Sequence, residues 1–111
     1  MKTISWADFD QVLLCVGTVL EADDLPEARV PAYVLRIDFG PYGVLRSSAR
    51  ITALYTKADL IGRQVVAVIN FPVKQVGKVM SQCLVTGFPD SEGRIVLTSV
   101  ERAVPDGTRL M

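Results

Sequence analysis

Alternation is clearest between residues 33 and 39, where Tyr33, Leu35, Ile37 and Phe39 take turns with Val34, Arg36 and Asp38. A period of two sends successive side chains to opposite faces, so this stretch predicts a half-buried β-strand. Gly40-Pro41-Tyr42-Gly43 reads as a turn, and residues 44–49 as the partner strand. Upstream, Val12 to Val16 form a β-rich run, and Gly17 marks a place for a bulge or sharp coil. A polar loop follows over residues 21–29, before Pro31. Further apolar runs cover residues 64–69, 83–88 and 94–98, the last two joined by the turn Pro89-Asp90-Ser91-Glu92-Gly93. Pro105-Asp106-Gly107 predicts a final turn before a short tail. Two stretches carry helical signals instead. Ser5 and Asp8 have capping-box spacing, with Ile4 and Phe9 placed as a hydrophobic staple. Residues 51–60 mix apolar and polar positions at helical spacing, with Gly62 as a stop.

Five or so β segments, with a helical link near 52–60 between the third and fourth, suit a small closed barrel. The count and order match the mainly all-β, five-stranded Greek-key barrel known as the OB-fold, whose surfaces often bind oligonucleotides. A split antiparallel sandwich fits the same pattern. For the barrel, the expected core contains Val16, Val19, Leu35, Ile37, Val66, Val68, Leu84 and Val96, and the alternation also places Tyr33 and Phe71 inside.

The chain has 111 residues, enough for one domain spanning 1–111 whose core hides roughly two-thirds of the unfolded surface. With 50% apolar and 22% charged residues, nothing reads as disordered. Twelve basic residues balance twelve acidic ones, so a nucleic-acid function requires cations segregated onto one face. Asp8 and Asp10 break any signal-peptide core, and no apolar run reaches membrane-spanning length; the expected setting is the cytoplasm, without membrane insertion. Cys15 and Cys83 each lie within an apolar run and read as buried, reduced thiols.

Catalytic signals are sparse. The chain has no histidine, the usual general base near neutral pH. Asp23 and Asp24 are adjacent and point apart on an extended chain, and Ser47 and Ser48 lack an activating partner. No phosphate-cradling glycine motif or metal-ligand spacing is present. These readings point to a non-catalytic protein without cofactor or metal.

The segment 70–81, Asn-Phe-Pro-Val-Lys-Gln-Val-Gly-Lys-Val-Met-Ser, is the most informative stretch. A proline, a glycine and two lysines between strand-like runs predict a shaped, partly basic loop rather than a plain hairpin. Arg46 and Arg50 bracket a strand end that can join Lys74 and Lys78 in one basic surface; scattered solubility charge is the alternative reading. Tyr33, Tyr42, Tyr55 and Phe71 are candidate stacking platforms for bases.

Val16-Gly17-Thr18-Val19, Pro26-Glu27-Ala28-Arg29 and Ile37-Asp38-Phe39-Gly40 resemble the tRNA-binding domain family found as appendages of aminoacyl-tRNA synthetases. The likeness continues through Leu60-Ile61-Gly62, residues 70–81 and Val104-Pro105-Asp106-Gly107. Ser47-Ser48-Ala49-Arg50-Ile51-Thr52 and Val68-Ile69-Asn70-Phe71-Pro72 look more like its stand-alone CsaA branch. The resemblance implies an OB-fold, a homodimer, and an export-related chaperone that binds unfolded preproteins and serves the export machinery. The alternative it implies is structure-specific tRNA binding. In either case the implied surface is Arg46, Arg50, Asn70, Lys74, Lys78 and Ser81. The tRNA-binding branch has Lys-x-(Lys/Arg)-Gly ahead of the serine; here Gln75 and Gly77 stand at the two basic positions, which weakens the expected attraction for phosphates.

Assembly is the last expectation. A helix of about seven residues cannot hold itself, so Trp6 and Phe9 must pack on the sheet or on another chain. Val104 and Leu110 lie beyond the last predicted strand with no further partner strand in sequence. Together these four residues define the expected homodimer interface.

Overall fold

The computed structural model describes all residues, 1–111. Its organising element is β1 (Leu14–Asp24), an eleven-residue strand that serves two neighbours. The first half, Leu14 to Thr18, pairs antiparallel with β4 (Gln64–Val68), and the second, Thr18 to Asp24, pairs with β2 (Tyr33–Asp38). The register slips between Val19 and Glu21, a bulge that bends the strand from one neighbour to the other. The bend lies beyond Gly17, whose pairing with Val65 is regular. What Gly17 provides is room: a Cβ there would stand 2.6 Å from Ile37 Cγ2 and 2.7 Å from the Phe39 ring. The strand also continues through Asp24, so the first residues of the expected polar loop belong to β1.

β3 (Val44–Ala49) pairs with β2 in full register, across a 3-10 turn at Gly40–Tyr42. β7 (Leu84–Val85) adds to β4, giving the order β3-β2-β1-β4-β7 in a nearly closed antiparallel barrel of OB type. Its seam is sealed by one backbone hydrogen bond and two that use side chains. Gln82 N–H donates to Arg46 O at 2.8 Å while Arg46 N–H donates to Gln82 Oε1 at 2.9 Å, and Ser48 N–H donates to Ser81 Oγ at 3.1 Å. Two hairpins are added to the barrel: β5 (Lys74–Val76) with β6 (Val79–Ser81), and β8 (Gly87–Pro89) with β9 (Ile95–Leu97), the latter packing Leu97 into the core.

The barrel interior holds Cys15, Val19, Tyr33, Leu35, Ile37, Phe39, Val65, Ala67, Cys83 and Leu97 among its buried residues. Val16 and Val68 are buried as well, outside that cluster. The other expected core positions are out of phase: Val66 is only half-buried, while Leu84 and Val96 are exposed. Their neighbours Val65, Cys83 and Leu97 point inward instead. The cause is sequence ambiguity: runs such as Gln-Val-Val-Ala-Val are apolar on both faces, and a slip of one residue exchanges inside for outside. Phe71, expected in the core, is 53% exposed.

The helices are short. α1 (Trp6–Asp10) carries the expected capping box between Ser5 and Asp8, over five residues. The link before β4 contains a single turn, α2 (Lys57–Leu60), under a second capping box from Thr56 and Asp59; the rest of 52–60 is turns and coil. Leu60 from this turn is fully buried, so the link also lids the core.

The C-terminal tail has a partner after all. Val16 N–H donates to Thr108 O at 2.9 Å, Gly107 N–H to Val16 O at 2.7 Å, and Leu110 N–H to Leu14 O at 2.8 Å, so the tail lies along the first half of β1. The Gln64 side chain clasps Val104, donating to its carbonyl at 2.7 Å and accepting from its N–H at 3.1 Å. Thr18 Oγ1 donates to Asp106 Oδ1 at 2.6 Å, and a Cβ at Gly107 would meet Phe39 O at 2.5 Å.

Candidate binding groove

Segment 70–81 is a hairpin arm on a short apolar stalk, which corrects the expectation of a loop without a plain hairpin. Lys74 pairs with Ser81, Gln75 with Met80 and Val76 with Val79 around the two-residue turn Gly77-Lys78. Gly77 at the first central position has φ +59°, the conformation that a primed hairpin turn demands. Its tip leans on the loop after β1: a Cβ at Gly77 would stand 3.1 Å from Glu27 Cβ. The stalk is fixed by Asn70, whose Oδ1 accepts from Leu13 N–H at 3.0 Å and whose Nδ2 donates to Gln11 O at 2.7 Å. Asn70 thus shapes the base of the arm and binds the linker after α1.

The arm, the loop 27–30 and the end of β3 enclose a groove of about 860 Å³. That volume is in the range of small-ligand pockets. Arg50, Lys74 and Ser81 of the expected surface line it, together with Arg29, which lies in the polar loop after β1. Arg46 and Lys78 do not line it: Arg46 is an exposed seam residue of β3, and Lys78 occupies the hairpin tip. Val30, Phe71, Val76 and Leu84 give the groove apolar walls. Tyr33 and Tyr55 are committed elsewhere, with Tyr33 Oη donating to Tyr55 O at 2.8 Å and Tyr55 Oη accepting from Leu97 N–H at 2.9 Å.

Charge is segregated in spite of the neutral total. Five ion-pair contacts engage Arg36, Lys57, Arg94 and Arg102, whereas Arg29, Arg46, Arg50, Lys74 and Lys78 have no carboxylate within 4.0 Å. Of the eight cations outside ion pairs, these five lie on or next to β3, the arm and the loop facing it, while Lys2, Arg63 and Arg109 lie elsewhere.

The floor of the groove includes Cys83, 6% exposed. Burial pushes its thiol up to about 11, and burial likewise raises Cys15. A raised thiol pKa keeps sulfur protonated and unreactive through the neutral range. At pH 8 a thiol-reactive chromophore is expected to label neither cysteine in the folded protein and both after denaturation. Rapid labelling of one equivalent under native conditions would contradict the burial of Cys83.

Comparison with known proteins agrees with this architecture. The family described as "Putative tRNA binding domain" matches residues 14–109. The crystal structure of the chaperone CsaA from Bacillus anthracis is 44% identical, with 99% of this chain and all of that one covered at a TM-score of 0.93. The CsaA chaperone protein of Picrophilus torridus is 36% identical over 98% of this chain and all of that one, at 0.92. Among curated sequences, the methionine–tRNA ligase of Methanocaldococcus jannaschii is 26% identical over 110 residues, which amount to 99% of this chain but only 17% of that enzyme. The chain thus spans about one-sixth of this curated relative's length. With a family match across most of its residues, the chain belongs to the tRNA-binding domain family.

Proposed function

We propose that this protein is a CsaA-like, non-catalytic chaperone that holds unfolded preproteins in the cytoplasm and passes them to the export machinery. The observation that carries the reading is the open, apolar-walled groove. Phe71 is 53% exposed and Leu84 50% exposed where both line it, although the barrel has a well-formed core to receive such side chains. Exposed, adjacent apolar side chains mark interaction surfaces. An unfolded chain offers them apolar side chains and unpaired backbone groups. The full-length likeness to CsaA chaperones supports the same conclusion. In a light-scattering assay, stoichiometric protein is expected to suppress aggregation of a chemically unfolded client, and Phe71→Ser with Leu84→Ser to remove most of that effect. No suppression by the unmodified protein ends this reading.

A second reading, structure-specific tRNA binding, is favoured by the five unpaired cations around the groove and by the family. Arg46, Arg50, Lys74 and Lys78 would then contact phosphates, with Asn70 and Ser81 shaping the arm. Recognition would rest on folded RNA shape. Affinity for bulk tRNA is expected to fall steeply with salt, and Lys74→Ala to reduce the log–log slope by about one. Binding that is absent at low salt, or indifferent to salt, eliminates the tRNA reading.

Homodimerisation is part of the proposal. Trp6 and Leu110 are exposed, 87% and 52%, and the tail is tied to α1 by the Arg109 guanidinium, which donates to Asp10 O. Each of the two terminal segments thus carries an exposed apolar side chain that a second copy would cover. Phe9 and Val104, both half-buried, lie on the same two segments.

A further inference from the structure

Charge and apolarity are interleaved in the groove. Arg29, Arg50 and Lys74 line it without ion-pair partners, and Glu27 is the only carboxylate among its lining residues. Glu27 belongs to the rim, where its side chain abuts Gly77 at the hairpin turn. Between the cations the walls are apolar, with Val30, Phe71 and Leu84 exposed. A nucleic-acid strand would satisfy the cations and can stack a base on Phe71, but it leaves the aliphatic Val30 and Leu84 in water. A basic segment would cover the side chains and repel the cations. One kind of occupant satisfies both.

Resting on the chaperone reading above, we infer that the groove selects extended polypeptide segments in which apolar side chains are interspersed with carboxylates, and rejects basic ones. Each exposed charge pair contributes little by itself, so three together give a preference of about tenfold for an acidic over a neutral segment of the same apolar content. The preference is electrostatic and open to solvent. It disappears as the Debye length shrinks to about 3 Å near 1 M salt, leaving only apolar attraction.

Three fluorescein-labelled peptides test this, sharing one Leu/Phe/Val frame with Glu, Gln or Lys at the intervening positions. Fluorescence anisotropy at low salt is expected to rank them Glu, Gln, Lys, and 1 M NaCl to bring them together. Arg50→Glu with Lys74→Glu reverses the order. Arg102→Glu, at an exposed site outside the groove, leaves it unchanged. Equal affinity for all three peptides overturns charge selection and leaves the chaperone reading intact. So does a ranking that the double reversal fails to alter. If no peptide binds and aggregation is not suppressed, both fall. If single-stranded oligouridylate binds while every peptide is silent, the groove is a nucleic-acid site and the inference is overturned.

Discussion

Phe39→Ala is expected to lower the free energy of unfolding by about 3–5 kcal/mol, read as a shift in urea midpoint with an unchanged slope. Phe39 is fully buried at the end of β2, and its ring lies over the backbone of β1 at Gly17. Its main chain is equally engaged: the N–H donates to Gly43 O at 2.9 Å, and the carbonyl packs against Gly107 in the tail. Removing the ring leaves a cavity at the junction of β1, β2 and the tail, a place where three segments cannot collapse together without breaking register. Gly17→Ala attacks the same contact from the other side, forcing a methyl to 2.7 Å from the ring. Because both changes act on one contact, Phe39→Leu is expected to recover more than about 1 kcal/mol in the Gly17→Ala background relative to additivity. A Phe39→Ala loss below about 1 kcal/mol would mean that the ring is not a core element.

Trp6→Asp combined with Leu110→Asp is expected to convert the proposed dimer into a folded monomer. Sedimentation equilibrium at micromolar concentration should give twice 12.1 kDa for the unmodified chain and 12.1 kDa for the variant. Trp6 and Leu110 are exposed within one protomer, beside Ile4 and Met111, so charge there costs the barrel little and an apolar interface a great deal. Trp6 is the only tryptophan, which makes its emission a direct reporter: dilution below the dimer constant should shift it to longer wavelength. A two-fold dimer also presents two grooves to one client, multiplying weak contacts. An unmodified chain that sediments at 12.1 kDa removes the dimer from the proposal.

The strands that were legible from sequence are those with a one-sided alternation. Residues 33–38 and 44–49 read as strands because Arg36, Asp38 and Arg46 mark the wet face unambiguously. Where both faces are apolar, as in β4 and around Cys83 to Val85, the runs were legible and their phase was not. β1 was under-read because Glu21, Asp23 and Asp24 look like loop residues in isolation. In the strand Glu21 instead meets Arg36 at 2.8 Å, and Asp24 at its end meets Lys57 at 2.8 Å. Within the site, Arg50, Lys74 and Ser81 were found through charge and family likeness, whereas Arg29 required tertiary structure, since only the fold brings loop 27–30 against the arm. The tail's pairing with β1 left no local signal at all, because a few backbone bonds to a distant strand impose no pattern on residues 105–110.

The seam has a consequence for how such a protein can change over generations. The arm that forms one wall of the groove lies outside the five-stranded ladder, and it is joined to β3 through Ser81 and the neighbouring Gln82. A substitution at Lys74 or Val76 alters the groove wall without removing a side-chain hydrogen bond of the barrel. Fold and the groove wall thus rest largely on separate residues. Barrel positions such as Gly17 and Phe39 are fixed by packing, while the exposed faces of the arm have no such neighbours. The surface offered to a partner can in this way be altered through a few residues of the arm while the packing of the barrel is kept.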